Sequence, residues 1–166
     1  WQGFGGQCET ANDGDPIVQY DQIADRWILT QFAVSRSPYL QCVAVSTGPD
    51  PPGTYHRYSY SYGTDFNDFP KLGVWPDAYY ITYNMFRRGR TFVGNKVCAF
   101  ERAVMLTGGA ARQVCAQTSN SNHSLVPADV EGSALPAAGT ANPLLSMTST
   151  AINFWKFTVN WTAGTG

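Results

Sequence analysis

The stretch NDFPKLGVWPDAYYITYNMF (residues 67–86) has the same layout as DGDPIVQYDQIADRWILTQFAV (residues 13–34). In both, an aspartate precedes a proline and a short apolar segment, which ends in an aromatic residue and is followed by a turn and a longer apolar segment. Short runs rich in β-branched and aromatic residues, bounded by Pro, Gly and Asp, predict β-strands. Because the layout recurs, the chain is predicted to consist of similar β-sheet units.

Two further predicted strands complete each of these units. LQCVAVS (40–46) and TYHRYSYSYG (54–63) follow the first pair, and tyrosine alternates with serine in the second of them, as in a strand with two unlike faces. FVGNKVCAF (92–100) and ARQVCAQT (111–118) follow the second pair, with one or two helical turns predicted between them at ERAVMLTGG (101–109). Each unit is therefore predicted to be an antiparallel meander of four strands.

A third unit begins near Pro127 and contains the apolar segments PLLSMTS (143–149) and INFWKFTVNW (152–161). The starts of the units, at Pro16, Pro70 and Pro127, lie about 55 residues apart. A period near 50 with four short strands per unit is typical of β-propeller blades. The prediction is a single all-β unit over residues 1–166, with blades at approximately 12–63, 67–118 and 124–161.

Three blades do not close a propeller ring, because propellers close with roughly four to eight blades. An incomplete ring leaves strand edges and blade faces uncovered, and such edges pair readily with other chains. We therefore expect that the missing blades belong to a longer chain, or that copies of this chain assemble with one another. The alternative fold is one β-sandwich, in which case the repeat has no structural meaning.

The composition narrows the class of protein. The chain has 166 residues, 11 Lys and Arg against 12 Asp and Glu, and only 14% charged residues against 14% aromatic ones. This balance gives no basic surface for nucleic acid and no polybasic run for an anionic membrane. The sequence contains no stretch of about 18 apolar residues, so no membrane span is predicted. An aromatic-rich, charge-poor chain is typical of compact all-β extracellular domains.

Four cysteines, Cys8, Cys42, Cys98 and Cys115, occur without C-x-x-C spacing, and with only two histidines no zinc site is expected. Their even number favours two disulfides and an oxidising compartment, against the alternative of four buried thiols. We therefore expect a secreted protein, extracellular or periplasmic. Cys98 and Cys115 lie on strands that are neighbours in the second unit, and their pairing leaves Cys8 with Cys42. Four cysteines allow three pairings, and the sequence leaves all three open.

The motifs NDGDPIVQYDQIADRWILTQFA, QCVAVS, PKLGVWPDAYYITYN, VCAFERAVML and FWKFTVNW resemble, in this order, a family of exported bacterial proteins of uncharacterised function. Those proteins are longer and are similar to sialidase-type β-propellers. The resemblance covers residues 4 to 161, and it implies a propeller fold and secretion. It implies no particular activity, and it suggests that the later blades of the family are absent from this chain.

A weaker resemblance concerns the five-bladed, arabinanase-like glycosidases. In that family an Asp-Pro pair on the first strand of the first blade carries the general base, and Asp15-Pro16 resembles that pair. Glu131-Gly132 is similar to the acidic residue that supplies the general acid there. The resemblance implies, as an alternative function, a glycoside hydrolase with Asp15 as the general base.

Aligning the units places Asp15, Asp68 and either Asp129 or Glu131 at the same end of the first strand of each blade. Two such carboxylates about 5–10 Å apart could cleave a glycosidic bond. Three or more could hold Ca²⁺, the one cofactor that the pattern allows, or could bind sugar hydroxyls. The alternative is that each aspartate caps a turn by accepting backbone N–H groups. In the first unit, Asp21 and Asp25 are interpreted as turn residues, whereas Asp13 fits either role.

Aromatic residues supply the remaining candidates for ligand binding. Trp75 and Tyr79, with Asp15 and Asp68, could line a sugar site, because aromatic rings pack on the C–H faces of sugars. The alternative for these rings, and for the row Tyr55, Tyr58, Tyr60 and Tyr62, is packing between adjacent blades. Sialidase chemistry requires a cluster of arginines, and Arg87, Arg88 and Arg90 are instead predicted to form a charged turn.

Three functions follow from these observations. The leading hypothesis is an extracellular binding or assembly module whose ligand is a glycan or another protein chain, and which is not an enzyme. The first alternative is the propeller-type glycoside hydrolase with Asp15 as base. The second is a structural protein that assembles through open strand edges.

Overall fold

The computed structural model describes residues 1–119 and 123–166, and in this part of the chain β-strands are the main secondary structure, joined by turns and loops. Two short helices accompany the strands. In chain order the elements are α1 (Gly6–Thr10), β1 (Ile17–Asp21), β2 (Arg26–Ala33), β3 (Tyr39–Ser46), β4 (Tyr55–Gly63), β5 (Phe66–Val74), β6 (Tyr79–Arg87), β7 (Thr91–Phe100), α2 (Arg102–Met105), β8 (Gln113–Gln117), β9 (Val126–Pro127), β10 (Asn142–Met147) and β11 (Ile152–Phe157).

Within the described ranges the strands form three antiparallel sheets. The first sheet has the order β1-β2-β3-β4, the second β5-β6-β7-β8, and the third β11-β10-β9. The two predicted four-stranded meanders are confirmed, while the third sheet has three strands among the described residues. The predicted all-β fold with blade-like sheets in an open arrangement is therefore confirmed. The described residues form three layers, whereas the alternative fold, a β-sandwich, has two.

The second sheet lies between the other two, and β6 shows why. Alternate residues of β6, such as Tyr79 and Ile81, pack with Ile28 of the first sheet. Tyr80 points to the other face and packs with Leu144 of the third sheet. Successive residues of a strand face opposite sides. Both faces of the second sheet are thus buried, which explains why successive residues of β6 from Tyr79 to Tyr83 are all buried.

The tyrosine row of β4 packs on the second sheet. The ring of Tyr60 contacts that of Phe100 with centroids 4.7 Å apart, and Tyr62 contacts Tyr83 at 5.0 Å. The hydroxyl of Tyr58 donates to the carbonyl of Met105 at 3.0 Å. Each such aromatic pair contributes about 0.5–1.5 kcal/mol beyond its buried area. The interpretation as a packing face is confirmed for Tyr58, Tyr60 and Tyr62. Tyr55 lies on the opposite face of β4, where its hydroxyl donates to the carbonyl of Pro51.

The first strands of the three sheets lie side by side, with β5 next to both β1 and β9. Gly73 permits the close approach of the third sheet, because a Cβ at this position would lie 2.4 Å from the carbonyl oxygen of Ala128. The backbone N–H of Val130 donates to the carbonyl of Val74 at 3.0 Å. The third sheet is therefore held to the second through backbone contacts at β5.

Two disulfides join Cys8 to Cys42 and Cys98 to Cys115, which confirms the pairing considered from the sequence. The second bridge links paired positions of β7 and β8. The first bridge fastens the N-terminal segment onto the outer face of the first sheet, where Cys8 and Cys42 are buried with Ala33. The bridges indicate an oxidising environment. None of the helices among the described residues is long and apolar enough to cross a membrane.

Candidate functional site

The predicted acidic residues do not occupy equivalent positions. Asp15 is exposed and precedes β1, Asp68 is the third residue of β5, and Asp129 and Glu131 both follow β9. The carboxylates therefore lie before, within and after the first strands of their sheets. The prediction that they align at one end is wrong, because the third unit begins with a strand of only two residues and its acids fall after that strand.

Asp68 and Asp129 lie at opposite ends of β5. The Oδ1 atom of Asp129 accepts a hydrogen bond from the backbone N–H of Val74, the last residue of β5, at 2.7 Å. Asp68 and Val74 are six positions apart along the strand, a distance of about 15–20 Å. This distance exceeds what an acid–base pair across a glycosidic bond can span. Asp129 instead joins the second sheet to the third.

Asp15 and Asp68 lie at the same end of the molecule. Gly14 lies against the ring of Phe32, which packs on Phe66 with centroids 5.6 Å apart, two residues before Asp68. No group of three or more His, Cys, Asp or Glu side chains among the described residues is placed to hold a metal ion. The acidic candidates consequently form no Ca²⁺ site with three or more such ligands among the described residues. Asp15 and Asp68 are the two candidates that lie at the same end of the molecule.

A β-bulge beside Asp68 exposes an aromatic ring. The pairing of β5 with β6 shifts register between Asp68 and Lys71, and Phe69 has a φ of 54° and is 40% exposed. The Nζ atom of Lys71 lies 3.5 Å from the centre of the Phe69 ring. Bulges redirect side chains and occur often beside functional sites. The sequence does not single out Phe69 or Lys71, although the Phe-Pro pair inside a predicted strand is a signal for a bulge.

Trp75 and Tyr79 are packing residues, so their prediction as ligand contacts is wrong. Tyr79 is 0% exposed and Trp75 is 8% exposed. The indole N–H of Trp75 donates to the carbonyl of Thr140 at 2.9 Å, and the Tyr79 hydroxyl donates to Asp21 at 2.7 Å. Burial, together with the nearby Asp21 carboxylate, raises the pKa of Tyr79 far above its ordinary range. The alternative, packing between sheets, is confirmed for both rings.

The other aspartates of the first unit bind backbone and side-chain donors. Asp21 accepts the N–H groups of Ile23 and Ala24, as expected for a turn residue. Asp25 accepts the Tyr20 hydroxyl. Asp13, whose role the sequence leaves open, accepts backbone N–H groups of the turn after β2, at Val34 and Ser35.

The outer face of the third sheet is apolar and uncovered. Leu145 pairs with Phe154 across β10 and β11 and with Val126 of β9, and Met147 pairs with Ile152. These five side chains are 44–77% exposed, whereas Leu144 and Phe157, on the opposite face, are buried. We call the surface formed by Val126, Leu145, Met147, Ile152 and Phe154 the open face. The sequence carries a signal for it, because INFWKF has apolar residues on both faces, as in a strand covered on both sides.

No protein-family model, curated protein or solved structure matches this chain. The resemblance to exported propeller-type proteins and the resemblance to arabinanase-like glycosidases therefore stay predictions. Among the described residues, the open face carries five of the nine large hydrophobic side chains that are exposed.

Proposed function

We propose that this protein is an extracellular assembly module of the β-propeller type, which binds a second copy of itself through the open face. The observation that carries the proposal is the exposure of five large apolar side chains on one sheet face. Contiguous apolar patches of more than a few hundred Å² mark interaction sites on soluble proteins. The side-by-side first strands support the propeller type, and the two disulfides support a location outside the cytoplasm.

The open face is large enough for a dimer. With a fully exposed aromatic side chain at roughly 150–250 Å², the five residues together expose on the order of 500 Å². Two copies would thus bury about 1,000 Å² from these side chains alone, and a specific interface needs about that much. Neighbouring residues such as Ser124 and Lys156, which are also exposed, would add to this area.

The same face of a second copy fits better than the outer face of the first sheet. The N-terminal segment, anchored by the disulfide at Cys42, already covers part of the first sheet, where Phe4 packs beside Ala33. A head-to-tail stack would collide with this segment, whereas a contact between two open faces meets no such obstacle. The one charged residue of β11 is Lys156, near one end of the strand. A twofold axis that lies between the two faces and runs perpendicular to the strands places the two Lys156 ammonium groups at opposite ends, which avoids their repulsion.

The solution mass tests this proposal. Size exclusion with light scattering should show concentration-dependent conversion from 18.2 kDa to a dimer of about twice that mass. Ile152→Lys should shift the dissociation constant upward by at least tenfold, because it buries a charge in the interface. Val18→Lys is the matched control, since Val18 is an exposed strand residue, 62% exposed, on the first sheet.

Three other results would contradict the twofold dimer. A wild-type chain that stays monomeric at high concentration overturns the proposal. Loss of the dimer in Val18→Lys points to head-to-tail stacking, and indefinite growth points to pairing of strand edges. Far-UV circular dichroism of both variants should match the wild type, which shows that neither change acts through unfolding.

A second candidate function is glycoside hydrolysis at the end of the molecule that carries Asp15 and Asp68. The observation that favours it is the exposed Phe69 ring beside Asp68, because a sugar can pack on such a ring while carboxylates contact its hydroxyls. Hydrolysis of nitrophenyl arabinosides that is lost in Asp15→Asn would support this function. Activity that persists in Asp15→Asn, or no activity on the panel, would exclude Asp15 as the base for these substrates.

A further inference from the structure

A groove of about 380 Å³ crosses the outer face of the first sheet, beside the N-terminal segment. Its floor is a row of paired residues, Leu29 on β2 and Ala44 on β3, and the row continues to Arg57 on β4. The aromatic side chains of Trp1 and Tyr55 also line it. Clefts of roughly 300–1,000 Å³ with apolar walls and a few polar groups are typical of small-ligand sites.

The aromatic side chains of the groove are held in place. The indole N–H of Trp1 donates to the Oε1 atom of Gln31 at 2.8 Å. The hydroxyl of Tyr55 donates to the carbonyl of Pro51 at 2.7 Å, and the backbone of Tyr55 pairs with Ser46 in the sheet. Side chains fixed in this way lose little conformational entropy when a ligand binds.

Arg57 brings a positive charge to the groove. The Glu9 carboxylate lies near enough for Arg57 to help lower its pKa, but the Glu9 oxygens accept the backbone N–H groups of Gly3 and Gly5 and form no ion pair with Arg57. Ion pairs within the described residues join Arg102 to Asp21 and Arg112 to Glu101, and neither includes Arg57. The guanidinium makes one long hydrogen bond, from Nη1 to the carbonyl of Gln2 at 3.3 Å. A guanidinium in this state is a ready partner for a carboxylate, which it can bind through two parallel N–H groups.

We propose that this groove binds a six-membered sugar ring that carries a carboxylate, as in a uronic acid unit of a glycan. The C–H faces of the ring pack against Trp1 and Tyr55, and the carboxylate pairs with Arg57. Arg57 is the one charged side chain among the described residues that line the groove, and it matches a single carboxylate, whereas a polyphosphate or nucleic acid would require several cations. The apolar floor of Leu29 and Ala44 favours the ring of a sugar over a small inorganic anion. This proposal does not depend on the open face, which belongs to the third sheet.

Titration of the full chain with methyl β-glucuronide tests the proposal, with methyl β-glucoside as the neutral counterpart. We expect the glucuronide to shift the Trp1 indole N–H signal in ¹H–¹⁵N spectra and to bind at least tenfold more tightly than the glucoside. Arg57→Gln should remove this preference for the charged sugar. The matched control is Arg36→Gln, because Arg36 is also exposed but lies outside the groove; it should leave binding unchanged.

Three results would overturn the proposal. Equal affinity for the two sugars would show that Arg57 does not read the carboxylate. Unchanged glucuronide binding in Arg57→Gln would place the site elsewhere. Benzoate that binds as tightly as the glucuronide would show a site for any ring-bearing carboxylate and would exclude a sugar-specific site. These readouts report on the first sheet, whereas the proposed dimer forms through the third sheet. Formation or loss of the dimer therefore does not change them.

Discussion

Arg102 and Asp21 form a buried ion pair that joins the first two sheets. The Nε atom of Arg102 donates to Oδ2 of Asp21 at 2.7 Å, and Nη2 donates to Oδ1 at 3.0 Å. The Asp21 side chain is 0% exposed and that of Arg102 is 9% exposed. Asp21 is the last residue of β1 and Arg102 is the first residue of α2, which follows β7. The pair therefore fixes the end of β1 in the first sheet against α2 of the second.

Asp21→Asn should destabilise the fold by about 3–5 kcal/mol, because it leaves the Arg102 charge buried without a counter-charge. Urea unfolding followed by tryptophan fluorescence measures this loss. The double variant Asp21→Asn with Arg102→Met should recover part of it, since the second change removes the unpaired charge. Asp25→Asn is the control, because Asp25 is exposed and should change stability by less than about 1 kcal/mol. Equal effects of the two Asp→Asn changes would contradict a structural role for the pair.

The Glu101–Arg112 ion pair is expected to make the stability of the fold decrease at acidic pH. A side-chain hydrogen bond from Arg112 is the main factor that holds the pKa of Glu101 below its ordinary value of 4.5. A group whose pKa is lowered by folding stabilises the fold above its unfolded pKa, and this stabilisation disappears as the pH falls through the folded pKa. The melting temperature of Glu101→Gln should thus lie below that of the wild type at pH 6, and the difference should shrink toward pH 3. A difference that is constant over this range would contradict the assignment, and Glu131→Gln, at an exposed site, is the control.

The sequence predicts the first two sheets well because their strands alternate with strong turn signals. Tyr58, Tyr60 and Tyr62 alternate with polar residues, and that alternation is the burial pattern of a strand packed on one face. The cysteine pairing follows from strand adjacency for Cys98 and Cys115. These features depend on residues close together in the chain, so local patterns are sufficient to predict them.

The site could not be predicted from the same patterns. The buried Asp21 is indistinguishable in sequence from the exposed Asp25, because its partner Arg102 is 81 residues away. The groove likewise combines Trp1 with Arg57, which no local pattern connects. The positions of Asp68 and Asp129 follow from where each strand begins, and strand boundaries are the least certain part of a sequence-based prediction.

Gly73→Ala should weaken the attachment of the third sheet. A Cβ at Gly73 would lie 2.4 Å from the carbonyl oxygen of Ala128, and since that oxygen is backbone, the third sheet must shift. Overpacking of this kind costs about 1–3 kcal/mol. Gly48→Ala is the matched control, because its added Cβ meets nothing within 4 Å. Thermal unfolding should separate the two variants, and equal melting temperatures would show that the third sheet is not held at this contact.

Removal of the Cys8–Cys42 disulfide is expected to change both the stability and the assembly of the protein. The bridge closes a loop over a sequence separation of 34 residues, and chain-entropy arguments assign such a loop about 4 kcal/mol. Replacing both cysteines by serine should therefore lower stability by about 2–4 kcal/mol, as measured by urea unfolding. If the N-terminal segment blocks the first sheet in the proposed dimer, its release should also allow head-to-tail contacts and produce species larger than a dimer in light scattering.

The control for this change is Cys98→Ser with Cys115→Ser. It removes a bridge within the second sheet, which should lower stability without changing the assembly, because the N-terminal segment stays in place. Large species in both double variants would mean that general destabilisation causes the association. A strict dimer in Cys8→Ser with Cys42→Ser would mean that the segment does not control which faces meet, and the choice of the open face would then depend on its apolar side chains alone.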